Sequence, residues 1–285
     1  MTTNHCHYRL LLGLILLPTL LGCSPLNLAK LTGNFSRQSD LELFCEGTPA
    51  YLLMLDSLLV GHPDNPKLLL GAVQAYTAYA SAVGECGHPE RVAAMTTKGR
   101  DYGLALLRKG NKITPEMSFP ELETALAKVG KTEVGPLFWG GYGWALWVAG
   151  QDGSPEALVD LLRIEQLMAR VVALDDTYFQ GGAHLFLGIY YGSRPELFGG
   201  KAELAKEHFE RALVISNRTF LPVQVAYARY YAKTQFDREL YQKLLEEVLA
   251  FDPATVPERT LSNLIAQRQA RRLLETIDEN FEGAS

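Results

Sequence analysis

Residues 181–213, GGAHLFLGIYYGSRPELFGGKAELAKEHFERAL, hold two helical patterns that cannot stand alone. The first runs from Ala183 to Tyr191 and is apolar nearly all round, with small residues at Gly181, Gly182, Gly188 and Gly192. A helix without a polar face needs neighbours on several sides. The second is amphipathic: Ala205, Phe209, Ala212 and Leu213 form an inner stripe, while Lys206, Glu207, Glu210 and Arg211 face water. The chain on either side must supply further helices to stack on this pair.

The flanking sequence supplies them. Tyr51, Leu52, Leu55, Leu58 and Leu59 recur at helical spacing over 49–60, before Gly61-His62-Pro63-Asp64 breaks the pattern. Further helices are predicted over 66–83, 89–107, 119–129, 137–149, 156–174, 182–191, 202–215, 223–234, 238–251 and 258–281. Asp40 is a candidate cap for the first of all, and Pro66, Pro89, Pro136, Pro155 and Pro222 mark helix starts. No alternating strand pattern occurs, so the class is all-α. Three second helices end alike, in RVVALDD (170–176), RALVISN (211–217) and EEVLAFDP (246–253), at intervals of roughly forty residues. Their order of large and small residues resembles a tetratricopeptide repeat. That likeness implies degenerate helical hairpins in a single superhelical solenoid domain over 46–285, with GSRPELFGG at 192–200 an insertion.

The N-terminus reads as an address. Arg9 is followed by an apolar run from Leu10 to Leu21, too short to span a bilayer, as in a secretory signal. Leu20-Leu21-Gly22-Cys23 resembles the bacterial lipobox. That resemblance implies a signal peptide over 1–22, cleavage before a diacylated Cys23, and a tether over 23–45. The chain would then face the periplasm from a lipid bilayer, Ser24 favouring the outer membrane over the inner. The plainer alternative is an ordinary signal or uncleaved anchor with Cys23 incidental. Cys45 and Cys86 remain as an even pair in an oxidising compartment, either bridged or two buried thiols.

The search for chemistry returns little. There is no GxSxG, HExxH or phosphate loop, and no CxxC or Cys/His cluster, so neither an enzyme, a metal site nor a cofactor is expected. A net charge of -5 without a basic run gives no reason to expect nucleic acid. His184 stands alone in an apolar run, as a core histidine or a polar group lining a ligand passage. His208 is assigned to the polar side of its helix. Phe138, Trp139, Tyr142 and Trp144 crowd one helix, and Tyr190 and Tyr191 follow in the next unit, as core or as the wall of an apolar passage. Gly140, Gly141 and Gly143 imply close backbone approach or a cavity wall. Arg194 and Phe198 in the insertion are candidates for a partner contact. Arg229 in YARYYAK stacks on rings or pairs with a carboxylate such as Asp237 or Glu239.

The glycine-rich helix at 181–192, the SRP of the insertion, KAELAKEHFERAL at 201–213, FDRELY at 236–241 and QRQARRLL at 267–274 together resemble the T component of tripartite ATP-independent periplasmic (TRAP) transporters. The likeness is strongest from Gly135 to Phe281. It implies a periplasmic lipoprotein that assembles as a homotrimer and docks the solute-binding P component. It also implies a hydrophobic passage for a small organic or amphipathic ligand. The alternative is a general envelope-assembly lipoprotein unrelated to transport.

Overall fold

The computed structural model describes residues 34–151, 153–194 and 200–282, and among them every regular element is helical. Cys23 and the signal segment lie outside the described residues, as does Phe198. The α-helices are α1 (Leu41–Gly61), α2 (Pro66–Ala82), α3 (Val92–Gly110), α4 (Phe119–Lys128), α5 (Val134–Val148) and α6 (Pro155–Asp175). They continue as α7 (Tyr178–Gly192), α8 (Ala202–Ile215), α9 (Pro222–Tyr227), α10 (Arg238–Ala250), α11 (Thr260–Glu275) and α12 (Ile277–Phe281). They pack in sequential pairs: α1 on α2, α2 on α3, α3 on α5, α5 on α6, α6 on α7, α7 on α8 and α10 on α11, with the short α4 against α6.

Helix starts follow local chemistry. The Asp40 carboxylate accepts from Leu43 N at 3.0 Å, and Ser154 and Asp237 cap α6 and α10 in the same way. Ser118 and Glu121 form a capping box at α4, and Pro66, Pro155 and Pro222 fill first-turn positions. Three boundaries differ from expectation. The pattern read over 49–60 belongs to a helix that begins at Leu41, after the cap expected at Asp40, with Pro49 inside it. A tether ending at residue 45 is therefore too long, because Leu41 and Phe44 are already core and Phe35 packs on Phe44 and Tyr51. The helix expected over 223–234 widens from α into a π-helical turn at Ala228–Ala232, and the terminal helix breaks at Thr276.

Helices α3 and α5 approach closely along a seam of glycines. A Cβ built on Gly140 would stand 2.4 Å from Leu107 Cγ, and one on Gly143 would stand 2.7 Å from the Gly99 carbonyl oxygen. Only glycine allows the two backbones to meet here, which answers the helix-propensity penalty of these residues. The core runs the length of the stack, through Tyr79, Phe138, Trp144, Phe209 and Tyr241. Buried polar side chains serve the backbone: Asn263 accepts from Leu221 N and donates to the Thr219 carbonyl, fixing the start of α9.

The two ends of the chain also meet. Arg37 pairs with Glu258 at 2.5 Å, and Arg272 grips the carboxylate of Glu85 on the loop between α2 and α3. The succession of helices therefore closes on itself.

Candidate functional site

The aromatic block of α5 divides into two populations. Phe138 and Trp144 are each 1% exposed and Trp139 is 6%, so none offers a face to solvent. They pack among rings instead: Trp139 lies edge-on to Phe179 at 4.6 Å between centroids, and Phe138 contacts Tyr178 and Phe179. The Trp144 indole donates to Asp160 at 3.0 Å, a carboxylate that also faces Arg163. Tyr142, Trp147, Phe186 and Tyr190 are only partly buried, and Phe186 stacks on Tyr190. Burial raises the Tyr142 phenol above its ordinary range, while its bond with Ser81 of α2 opposes that shift.

His184 is buried, and its Nδ1 lies 2.8 Å from Nδ1 of His208, so one ring donates and the other accepts. The two histidines bridge α7 and α8. His208 is half-buried rather than free on the polar side of its helix. Tyr191 stacks on His208, and its hydroxyl donates to Glu165 of α6 at 2.7 Å. Burial pushes His184 down to about 4, helped by repulsion from His208; burial likewise lowers His208, against the pull of Glu207 and Glu165. Sequence reasoning singled out His184 but not His208 or Glu165, because the partners lie on other helices at no regular spacing.

The second half of α7 gathers the remaining candidates. Arg194 lies over the Tyr190 ring at 4.7 Å and donates to the Tyr190 carbonyl at 3.3 Å. Lys201 lies over Tyr191 at 5.3 Å, and Arg229 over Tyr230 at 5.4 Å. Gly192 joins these groups, since a Cβ there would stand 2.8 Å from the Tyr230 carbonyl oxygen. Tyr190 with Arg194 and Tyr191 with Lys201 thus form cation–tyrosine pairs beside the insertion, Gly192 brings the backbone of the Arg229–Tyr230 pair against α7, and Arg229 also lies near enough to Tyr241 of α10 to influence it. The carboxylate pairing considered for Arg229 appears instead on Arg238, which takes Asp278 at 2.5 Å.

Three polar centres escaped sequence reading. Asp56 accepts from the hydroxyls of Tyr76 and Tyr102 and from Lys98, tying α1 to α2 and α3. Arg259 donates to the Ser216 carbonyl and bonds Gln180 and Thr219, at the point where Phe179, Gln180 and Gly181 take positive φ and kink α7. Glu85, described above, receives Arg272. The last pair of interest was visible: Cys45 and Cys86 form a disulfide with Cα atoms 5.6 Å apart, linking α1 to the loop after α2.

Comparison with known proteins gives this geometry a context. An uncharacterized protein of Treponema pallidum (strain Nichols) is 26% identical over 273 residues, spanning 89% of this chain and 84% of the relative. Residues 37–281 match the family described as TRAP transporter T-component. That family is one of transporter accessory proteins rather than enzymes, and membership implies association with TRAP components at the cell envelope. With the match running from the residue that pairs with Glu258 to the last buried aromatic, Phe281, the chain belongs to the T-component family of TRAP transporters.

Proposed function

We propose that this protein is a scaffold that docks the solute-binding P component of a TRAP transporter through the cation–tyrosine edge at the end of α7. Arg229 and Lys201 are exposed, and Arg194 is partly buried. Each lies over a tyrosine ring, so its charge is held in place rather than free to wave. An edge of this kind fits an acidic, partly apolar patch on the partner. Arg and Tyr are the residue types that carry binding energy at protein interfaces. The fixed guanidinium–tyrosine pairs are the observation that carries this assignment.

Around that contact we place the rest of the reading. The helix pairs act as tetratricopeptide-like hairpins of a solenoid, the protein is held at the membrane by lipid on Cys23, and three copies assemble. Passage of an apolar or amphipathic ligand, such as a small organic acid, is a second reading. Its support is the partly buried aromatic set Tyr142, Trp147, Phe186 and Tyr190, not the fully buried Phe138 and Trp144.

The test uses the anchorless protein and its cognate P protein. Wild type should capture the P protein, with affinity falling as salt rises, and native mass spectrometry should show a trimer bearing it. Arg194→Glu with Arg229→Glu should weaken capture at least tenfold while leaving far-UV dichroism unchanged. Unaltered capture by that variant would remove the edge from the docking surface, and no capture by wild type would remove the docking role.

A further inference from the structure

The junction between the two ends of the chain differs in kind from the others. Neighbouring helices elsewhere pack apolar side chains into a shared core, to which bonds such as Tyr76–Asp56 and His184–His208 add. Between the start of α1 and α11 there is instead a cleft of about 460 Å³, lined by Asp40, Glu42, Leu264, Gln267, Arg268 and Arg271 among others. Polar side chains span the gap. Glu85 receives both terminal nitrogens of Arg272, one at 2.7 Å, and its backbone carbonyl accepts from Arg268 at 3.4 Å. Arg37 reaches Glu258 on the far side.

Two further observations make Glu85 the centre of this junction. Its side chain is 7% exposed, whereas that of Arg272 is 59% exposed. A carboxylate so enclosed needs its counter-charge, while the arginine can leave for water at little loss. The asymmetry makes the pair a catch with one fixed and one mobile jaw. Glu85 also directly precedes Cys86, and the Cys45–Cys86 bond fastens its loop to α1. The mechanical order is thus α1, disulfide, Glu85, Arg272, α11.

We propose that Glu85 is a latch, positioned by the Cys45–Cys86 disulfide, that holds α11 to α1 and keeps the circuit of helices closed. Loss of the Glu85–Arg272 pair opens the circuit along the cleft without unfolding either side. Each side stays packed within the one apolar core that runs the length of the stack, α1 and α2 through Leu55 and Tyr79, α10 and α11 through Tyr241 and Leu245.

The measurement is the distance between probes at Ser57 on α1 and Glu275 at the end of α11, both exposed. The probes are attached through non-cysteine chemistry to leave the disulfide intact. Wild type should give one narrow distribution. Glu85→Gln and Arg272→Gln should each add a longer, broader population with unchanged far-UV dichroism, and the exchange Glu85→Arg with Arg272→Glu should shift the balance back toward the narrow one. Cys45→Ser with Cys86→Ser should also widen the distribution. Should Arg272→Gln, a change at an exposed side chain, leave the wild-type distribution intact, the latch is overturned. Should only the cysteine variant leave it intact, the positioning role of the disulfide is overturned.

Discussion

The His184–His208 pair shows what a single residue can impose on this fold. His184 ordinarily titrates near 6.5, and burial, with the neighbouring His208, pushes it down to about 4. The folded protein therefore binds this proton more weakly than the unfolded chain does. Its stability contribution is complete above pH 6.5 and is lost as pH falls through 4. The bound on that loss is roughly 3 kcal/mol, from the size of the shift. His208, also lowered, acts in the same direction; Asp176 opposes the shift of His184 and Arg211 deepens it, while Glu207 and Glu165 oppose the shift of His208. Urea midpoints at pH 7.5, 5.5 and 4.5 should fall for wild type and fall less for His184→Leu, which removes the buried titrating ring. Parallel slopes for the two proteins would show that the pair does not govern acid stability. The sequence pointed to His184 because a lone polar residue stands out in GGAHLFLGIYY. It could not point to His208, whose place at the margin of the inner stripe of α8 becomes visible only once α7 lies beside it.

At the scale of elements, glycine behaves in opposite ways at two helix positions. Gly47 lies within α1 with nothing inside 4 Å of a built Cβ, whereas Gly140 lies in α5 against Leu107 and the Gly103 carbonyl. Gly47→Ala should therefore stabilise the protein by up to about 1 kcal/mol through helix propensity alone. Gly140→Ala should destabilise it by about 1–3 kcal/mol, because α3 and α5 must part. Thermal melts of the two variants should move in opposite directions, and a rise for Gly140→Ala would contradict the close seam. Most elements were readable because their signals are local: a capping carboxylate or hydroxyl, a proline in the first turn, an apolar stripe. For α1 the cap at Asp40 was legible but its first two turns were not, since Gly47 and Thr48 interrupt the stripe before Pro49 and a proline is unusual inside a helix. Nor was the kink at Phe179–Gly181, which depends on Arg259, eighty positions away in round numbers, bonding Gln180.

For the molecule as a whole, the all-α class and the family were legible in motifs, while the closure of the chain on itself was not. Closure rests on arginines paired with carboxylates some two hundred positions distant, and such pairs leave no periodic trace. The same geometry shows what residues 34–39 add to the fold. Phe35 is centred 4.9 Å from the Tyr51 ring and 6.0 Å from that of Phe44, and Arg37 pairs with Glu258. A chain beginning at Asn34 keeps all of these contacts, and one beginning at Asp40 keeps the cap of α1 but loses them. Removing the half-buried Phe35 should cost about 1–2 kcal/mol, and its two ring contacts add to that. The exposed Arg37–Glu258 pair adds less than about 1 kcal/mol. The shorter protein should therefore show the same helix content but melt about 3–8 °C lower than the longer one. Equal melting temperatures would mean that the fold begins at α1 itself and that residues 34–39 only lean against it.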